Sequence, residues 1–239
     1  LFLRNGVLPV FIFDGIPPDE KKETLEKRVE VRTKIKERIT DTKEKIAECT
    51  LGEWDRKRSL EKDLYKLEKQ SVTVTKKHKD EVRYLIKLIG LPFYNADGEA
   101  EAFCVNLQNK GLVDYTLTED TDVLAYGCKA WLRKGLDDTL VLIRLEYILE
   151  QFRMTHEQFV DLCILCGCDY ADTIPRIGAI TAYNKIRQYG SIDKLLEVEN
   201  PKLPEKFKYK DIRLIYKTHK SIEHITIATR QFDEEAFFK

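Results

Sequence analysis

From Asp19 to about Gln70 the chain contains no proline, charged residues dominate, and apolar residues are sparse, with Leu25, Val29, Val31, Ile35, Ile39 and Ile46 spread along its first half. Good helix formers fill the stretch, but they leave no wide apolar face to bury. The pattern predicts one or two long helices, broken near Thr50-Leu51-Gly52. It also forces the hydrophobic core to come from the residues on either side. A charge run of this kind is either a solvated helical hairpin or a projecting functional element, and charge alone favours the first.

The flanking residues carry the core pattern. Leu8-Pro9-Val10-Phe11-Ile12-Phe13 is nearly all apolar and ends abruptly in Asp14-Gly15-Ile16-Pro17-Pro18, which predicts a buried strand with Asp14 at its carboxyl end. Val82, Leu85, Ile86 and Ile89 share one helical face, and Gly90 stops that helix. An extended segment, Leu91–Tyr94, precedes a helix expected from about Gly98 to Asn109, with Gly111 as its cap. A strand is expected over Val113–Leu117, followed by Thr118-Glu119-Asp120-Thr121-Asp122. Lys129–Leu132 and Thr139–Ile143 predict a hairpin at the sheet edge.

Beyond it the chain reads as helical. Thr155-His156-Glu157-Gln158 is a capping box opening a helix to about Cys166, broken by Gly167-Cys168-Asp169-Tyr170. The turn Ile174-Pro175-Arg176-Ile177-Gly178 leads into a helix over Ala179–Tyr189, and Ser191 caps the next. Strands alternating with helices, then helices alone, predict an α/β domain with a C-terminal helical module. The division falls at residues 1–154 and 155–239, with a helix–turn–helix near 170–189.

Composition narrows the function. Charged residues make up 34% of the 239, yet the net charge is +0. A protein that coats nucleic acid by charge alone is strongly basic. Phosphate contacts here must come from local basic patches, helix N-termini or bound metal. No apolar run is long enough to span a membrane, and the residues given carry no signal-peptide pattern, so secretion is not expected. The six cysteines show no even framework spacing, which points to free thiols in a reducing, intracellular setting rather than secretion. Leu1-Phe2-Leu3 enters mid-pattern, so an upstream segment is expected.

Acidic residues gather where strands end or helices begin. Asp14 ends one strand, Asp120 and Asp122 follow another, Glu99 and Glu101 open a helix, and Asp169 ends one. Taken singly, each is an ordinary turn former, cap or dipole partner. In open α/β sheets, however, ligands bind beyond the carboxyl ends of the strands, so Asp14, Glu99, Glu101, Asp120 and Asp122 can meet on one rim, with Asp169, at a helix end, as a further candidate. Converging carboxylates repel unless cations lie between them. Oxygen ligands without His or Cys select Mg2+ or Mn2+, and two such ions roughly 4 Å apart stabilise both ends of an in-line phosphoryl displacement. Glu99 and Glu101 lie two residues apart, so they share a metal site only if the helix starts in a loop-like way.

The runs Val10–Pro18 with Lys21 and Arg28, Ala96–Ala102, Thr118–Asp122 and Phe159–Tyr170 resemble, in order and spacing, the flap endonuclease/XPG family of structure-specific 5′ nucleases. The resemblance covers about Val7 to Tyr189. It implies a PIN-like fold, with a mostly parallel sheet flanked by helices, a long helical arch over about 19–80 and the C-terminal helix–turn–helix module. It implies a two-metal site at Asp14, Glu99, Glu101, Asp120, Asp122 and Asp169, binding Mg2+ with Mn2+ as a substitute. Lys21 and Arg28 match the family's basic pair, with Lys21, Arg28, Asp14 and Glu99 placed at the chemistry. Lys21 and Arg28 are seven residues apart, on one helix face, and Arg32 extends the stripe. The expected activity is flap cleavage or 5′-3′ exonuclease action on DNA at flaps, nicks and junctions, in replication, repair or recombination. The enzyme is expected to act as a monomer, in the nucleus or at another site of DNA replication such as a viral one. The arch reading of Asp19–Gln70 then outweighs the solvated hairpin.

The sequence departs from the family pattern in three places. The family carries another metal-binding Asp on a segment before Leu1. Its helix–turn–helix loop has two glycines and grips a duplex phosphate with a monovalent cation such as K+. Here Arg176 replaces the first glycine, while Gly178, Arg176 and Lys185 remain available to DNA. Gln231 with Phe237-Phe238 resembles a sliding-clamp-binding peptide, but Glu234 stands where an aliphatic residue is needed, so a short helix over Asp233–Phe238 is the preferred reading. Cys163, Cys166 and Cys168, with His156 nearby, suggest zinc; core cysteines are the preferred reading. Three other functions remain open: an XPG-like bubble or junction nuclease, an RNA-directed 5′ exonuclease, and a non-catalytic junction-binding module.

Overall fold

The computed structural model describes residues 2–50, 52–205, 207–217, 225–230, 232–233 and 237. These form two compact units, residues 22–85 and residues 1–21 with 86–239.

The first unit is built on a helix pair, α1 (Lys22–Ala47) and α2 (Trp54–Ser71), which pack against each other. As the sparse apolar pattern requires, Thr42 and Leu67 are the buried residues of the two helices. Charge supplies the remaining local order. Lys43 pairs with Glu68 across the helices at 2.9 Å, and Glu23–Lys27 and Asp41–Lys45 are ladder pairs along α1. Exposed pairs of this kind contribute only about 0.3–0.5 kcal/mol each. α3 (Lys76–Ile89) follows, ending as expected at Gly90.

In the second unit β1 (Phe11–Phe13) runs parallel to β2 (Phe93–Asn95), with Ile12 opposite Tyr94. After α4 (Ala100–Asn109), β3 (Thr116–Leu117) runs parallel to β4 (Ala130–Lys134), which turns back antiparallel into β5 (Leu140–Arg144). The expected parallel pairings and edge hairpin are present, divided among the described residues into a two-stranded and a three-stranded sheet. β3 is shorter than the expected Val113–Leu117. The carbonyl of Asp114 accepts from the buried Gln108 side chain rather than from a strand. Gln108 also accepts from the Lys129 and Ala130 amides and donates to the Ala130 carbonyl, tying α4 to the start of β4.

Five further helices follow α5 (Asp122–Ala125): α6 (Leu145–Phe152), α7 (His156–Cys166), α8 (Ala179–Tyr189), α9 (Ile192–Glu199) and α10 (Tyr209–Lys217). The capping box at Thr155 and Gln158 forms, the Ser191 hydroxyl caps α9, and Gly190, at φ 81°, ends α8. One apolar core runs from Val105 and Val123 through Ile164 and Leu165 to Ile186, Leu195 and Ile212, so the strand-bearing and helical regions bury the same surface. No helix among the described residues is long and apolar enough to cross a membrane.

α10 is locked by an ion pair whose carboxylate is buried and whose guanidinium is partly exposed. Arg213 donates to both carboxylate oxygens of Asp161 at 2.6 Å, and Asp161, 3% exposed, also accepts from the Ile192 amide. The third guanidinium arm reaches Asp193 at 2.7 Å. A carboxylate this deeply buried is tolerable only because these donors satisfy it.

Candidate metal centre

The site begins where β1 ends. The Gly15 amide donates to the Gly98 carbonyl and the Ile16 amide to that of Asp97, holding the two loops together. A Cβ on Gly15 would lie 2.0 Å from the Ala96 carbonyl oxygen, so only glycine allows this approach. With residues 97–98 held this way, α4 starts at Ala100 rather than Gly98. Glu99 is its extended N-cap and Glu101 lies in its first turn, the loop-like start that lets both face one point. The Asp14 carboxylate accepts from the Ala100 amide at 3.1 Å, so it caps α4 from another element. One oxygen each of Asp14, Glu99 and Glu101 lie within 4.8 Å of one another.

The remaining carboxylates border this group. Thr118 donates to Glu101 at 3.4 Å and accepts from the Asp120 amide at 3.1 Å, and the Asp122 amide donates to Asp120 at 2.9 Å. Trp131 holds the loop by donating to the Thr118 carbonyl. Burial raises the Glu101 carboxyl, and the charges of Asp14, Asp120 and Glu99 raise it further. Burial pushes Asp122 up to about 6; Asp120 and Asp169 add to the rise, while a hydrogen bond from Tyr216 and the Lys21 charge oppose it. All six acids therefore belong to one electrostatic cluster, which favours an added cation. An all-oxygen, all-anionic donor set fits a hard divalent ion such as Mg2+.

Lys21 is the protein's own cation at this point. Its ammonium lies 2.5 Å from Glu99 and 3.3 Å from Asp169. Burial pulls its pKa down, but the bond to Glu99 and the charges of Glu99 and Asp169 outweigh it and hold the ammonium above its usual value. Lys21 does not lie on α1 with Arg28, as the seven-residue spacing predicts. It closes a short 3-10 turn, Asp19–Lys21, donating its amide to the Pro18 carbonyl, and α1 begins one residue later at Lys22.

The regions resembling known nucleases are also those that family comparison matches. The N-terminal domain of XPG matches residues 1–35 and the XPG I-region matches residues 90–169. The chain belongs to the flap endonuclease/XPG family. Over 223 residues it is 40% identical to flap endonuclease 1-A of Sorghum bicolor, covering 90% of this chain and 55% of that protein. It is 38% identical over 247 residues to flap endonuclease 1 of Xiphophorus maculatus, covering 99% and 62%. The chain thus spans little more than half the length of these relatives. Among solved structures it superposes on flap endonuclease-1 from Methanococcus jannaschii with TM-score 0.69 and 28% identity, covering 99% of this chain and 70% of that one. It matches the catalytic core of Rad2 in complex with DNA substrate at TM-score 0.71 and 21% identity, covering 98% and 73%, which speaks to the fold.

Outside the acidic cluster, the residues expected to meet DNA belong to both units. Arg28 and Arg32 lie on exposed faces of α1. Arg176 adopts the left-handed conformation, φ 69°, a backbone region that favours glycine. Gly178 is the N-cap of α8 and makes no side-chain cap bond. The Lys185 ammonium is engaged by Glu199 at 2.5 Å, so a phosphate must compete for it. His156 bonds the Leu124 carbonyl, and burial raises the Cys163 thiol to about 12 and also raises Cys166 and Cys168. Cys163 and Cys168 are half-buried against the core while Cys166 is exposed, so they are not the fully buried core cysteines expected, and among the described residues they are not gathered into a metal-holding group. The clamp-like peptide at Gln231, Glu234 and Phe238 lies outside the described residues.

Sequence reasoning missed the tyrosines beneath the cluster. Tyr126 and Tyr170 share a hydroxyl hydrogen bond of 2.7 Å, and Tyr216 meets both rings edge-on at 5.0 and 5.7 Å. Tyr216 donates to Asp122 at 3.3 Å, and Lys21 lies over the Tyr170 ring. Nothing in the linear spacing of α10 points to Asp122; folding alone brings them together.

Proposed function

We propose that this chain is the catalytic core of a metal-dependent, structure-specific 5′ nuclease. It would hydrolyse DNA phosphodiesters at flaps, nicks and other single-strand/duplex junctions during intracellular DNA replication, repair or recombination. The observation that carries the reading is the convergence of Asp14, Glu99 and Glu101, with Asp120, Asp122 and Asp169 coupled to them electrostatically and Lys21 bridging Glu99 and Asp169. A non-catalytic relative has no need to keep a mutually repelling acidic set. Two Mg2+ ions, or Mn2+ in their place, would supply charge stabilisation for an in-line phosphoryl displacement.

In this reading Glu99, Asp120, Asp122 and Asp169 hold the ions, Asp14 orients them while capping α4, and Glu101 either binds an ion or holds a ligand in place. Lys21, charged and partly shielded from water, exchanges its carboxylate partners for the scissile phosphate and offsets charge developing on it. Arg28 and Arg32 contribute cations along the single strand, with residues 19–80 serving as the arch. Residues 155–239 grip duplex, and Arg176 and Gly178 meet a phosphate with or without K+.

The test is cleavage of labelled 5′ flap, nick, bubble, four-way and matched RNA-flap substrates with Mg2+. Asp120→Asn is expected to lower flap cleavage by at least about 100-fold while flap binding is retained. Full activity in that variant would sink the assignment, and preference for the RNA flap would redirect it to RNA processing.

A further inference from the structure

The buried phenol of Tyr216 stands between the helical region and the acidic cluster. Tyr216 is 2% exposed, packs edge-on against Tyr126 and Tyr170, and points its hydroxyl at the Asp122 carboxylate, 3.3 Å away. Its position is set by its own helix. Arg213, one turn earlier on α10, grips Asp161 of α7 through two 2.6 Å bonds and Asp193 of α9 through a third. Ile212 on the same face is fully buried. α10 therefore has little freedom to rotate or slide, and the Tyr216 hydroxyl inherits that rigidity.

Asp122 needs such a partner. It opens α5, a helix of four residues, and its neighbour Thr121 makes no side-chain cap bond. The Asp122 backbone is tied through its amide to Asp120. Its side chain, however, has two oxygens and rotates about two bonds, and repulsion from Asp120 and Asp169 favours turning it away from the cluster. A hydroxyl fixed on one oxygen restricts that rotation and leaves the second oxygen to a ligand. Partners of this kind commonly set ligand orientation, and their loss weakens metal binding by about 10–100-fold.

We propose that Tyr216 is a positioning residue for Asp122, carrying the register of α10, set by the Arg213–Asp161 clamp, into the geometry of the divalent-metal centre. This inference rests on the reading of Asp122 as a metal ligand, and the experiment separates the two. Mn2+ affinity of the full chain is measured by titration with spin-resonance detection of free ion, without DNA. The proteins compared are the unmodified chain, Tyr216→Phe, Asp122→Asn and the double variant, with thermal unfolding of each followed in parallel. Tyr216→Phe keeps the ring packing and removes only the hydroxyl.

The expected result is about tenfold weaker Mn2+ binding in Tyr216→Phe, with no further loss when Tyr216→Phe is added to Asp122→Asn. A merely structural tyrosine would lower the unfolding temperature but act independently of Asp122, so its effects on Mn2+ affinity would multiply in the double variant. That multiplication, or an affinity within about twofold of the unmodified chain for Tyr216→Phe, would overturn the positioning role while leaving the metal centre intact. Unchanged Mn2+ binding in Asp122→Asn would overturn both.

Discussion

At the scale of single residues the site is defined by conflict. Asp122 is pushed up to about 6, first by burial and then by Asp120 and Asp169. The folded protein therefore holds this proton more tightly than the unfolded chain does. Its ionisation penalty is absent at low pH, grows as pH rises from about 4 to about 6, and is complete above. In divalent-free buffer near pH 8, Asp122→Asn should thus stabilise the fold by about 1–2 kcal/mol, discounted for partial exposure, and the gain should vanish near pH 4. Denaturant melts at the two pH values check this, and a destabilised variant at pH 8 would contradict it. Gly15 shows the opposite economy: a single missing Cβ lets Asp14 and Glu99 approach at all.

At the scale of elements, the helices of the second unit are held by few but specific contacts. The clamp of Arg213 on Asp161 joins α10 to α7 and, through Asp193, to α9. Asp161→Ala would leave a partly exposed guanidinium with Asp193 as its remaining partner and an Ile192 amide unsatisfied, at a cost of about 1–3 kcal/mol. A urea midpoint that does not move would show that α10 is docked by its apolar face alone. The helix pair of residues 22–85 behaves differently. With Thr42 and Leu67 as its buried residues, its order depends on a small interface and screened charges, so it belongs to the low-stability end of the molecule.

For the molecule as a whole, one apolar core underlies both the acidic rim and the C-terminal helices, so a cation at the rim stabilises everything packed on that core. At Mg2+ concentrations about 100 times the dissociation constant, linkage gives about 2.7 kcal/mol. That corresponds to a rise in melting temperature of about 5–10 °C for a domain of this size. The rise should shrink as pH falls through about 6, where Asp122 takes up its proton in competition with metal. Scanning calorimetry with and without Mg2+ measures it, and a melting temperature indifferent to Mg2+ would argue against a divalent centre.

Much of this was legible locally. The capping box at Thr155, the bounds of α8 and the Ser191 cap follow from short-range rules, because each is decided by residues within one turn; the strand before Asp14 forms too, but only over Phe11–Phe13 and half-exposed rather than buried. The six acids were legible as residues at element ends, and their order carried the family. What the linear pattern left open was how they meet. That Glu99 is an extended N-cap, that Lys21 closes a turn instead of opening α1, and that Lys185 is held by Glu199 all depend on atoms distant in the chain. So do the clamp on Asp161 and the reach of Tyr216 to Asp122 across 94 residues of sequence separation. The sequence by itself determined which charges exist and which elements carry them; the tertiary structure alone decided which charges share a site, because electrostatic and hydrogen-bond energies depend on separation in space and not along the chain.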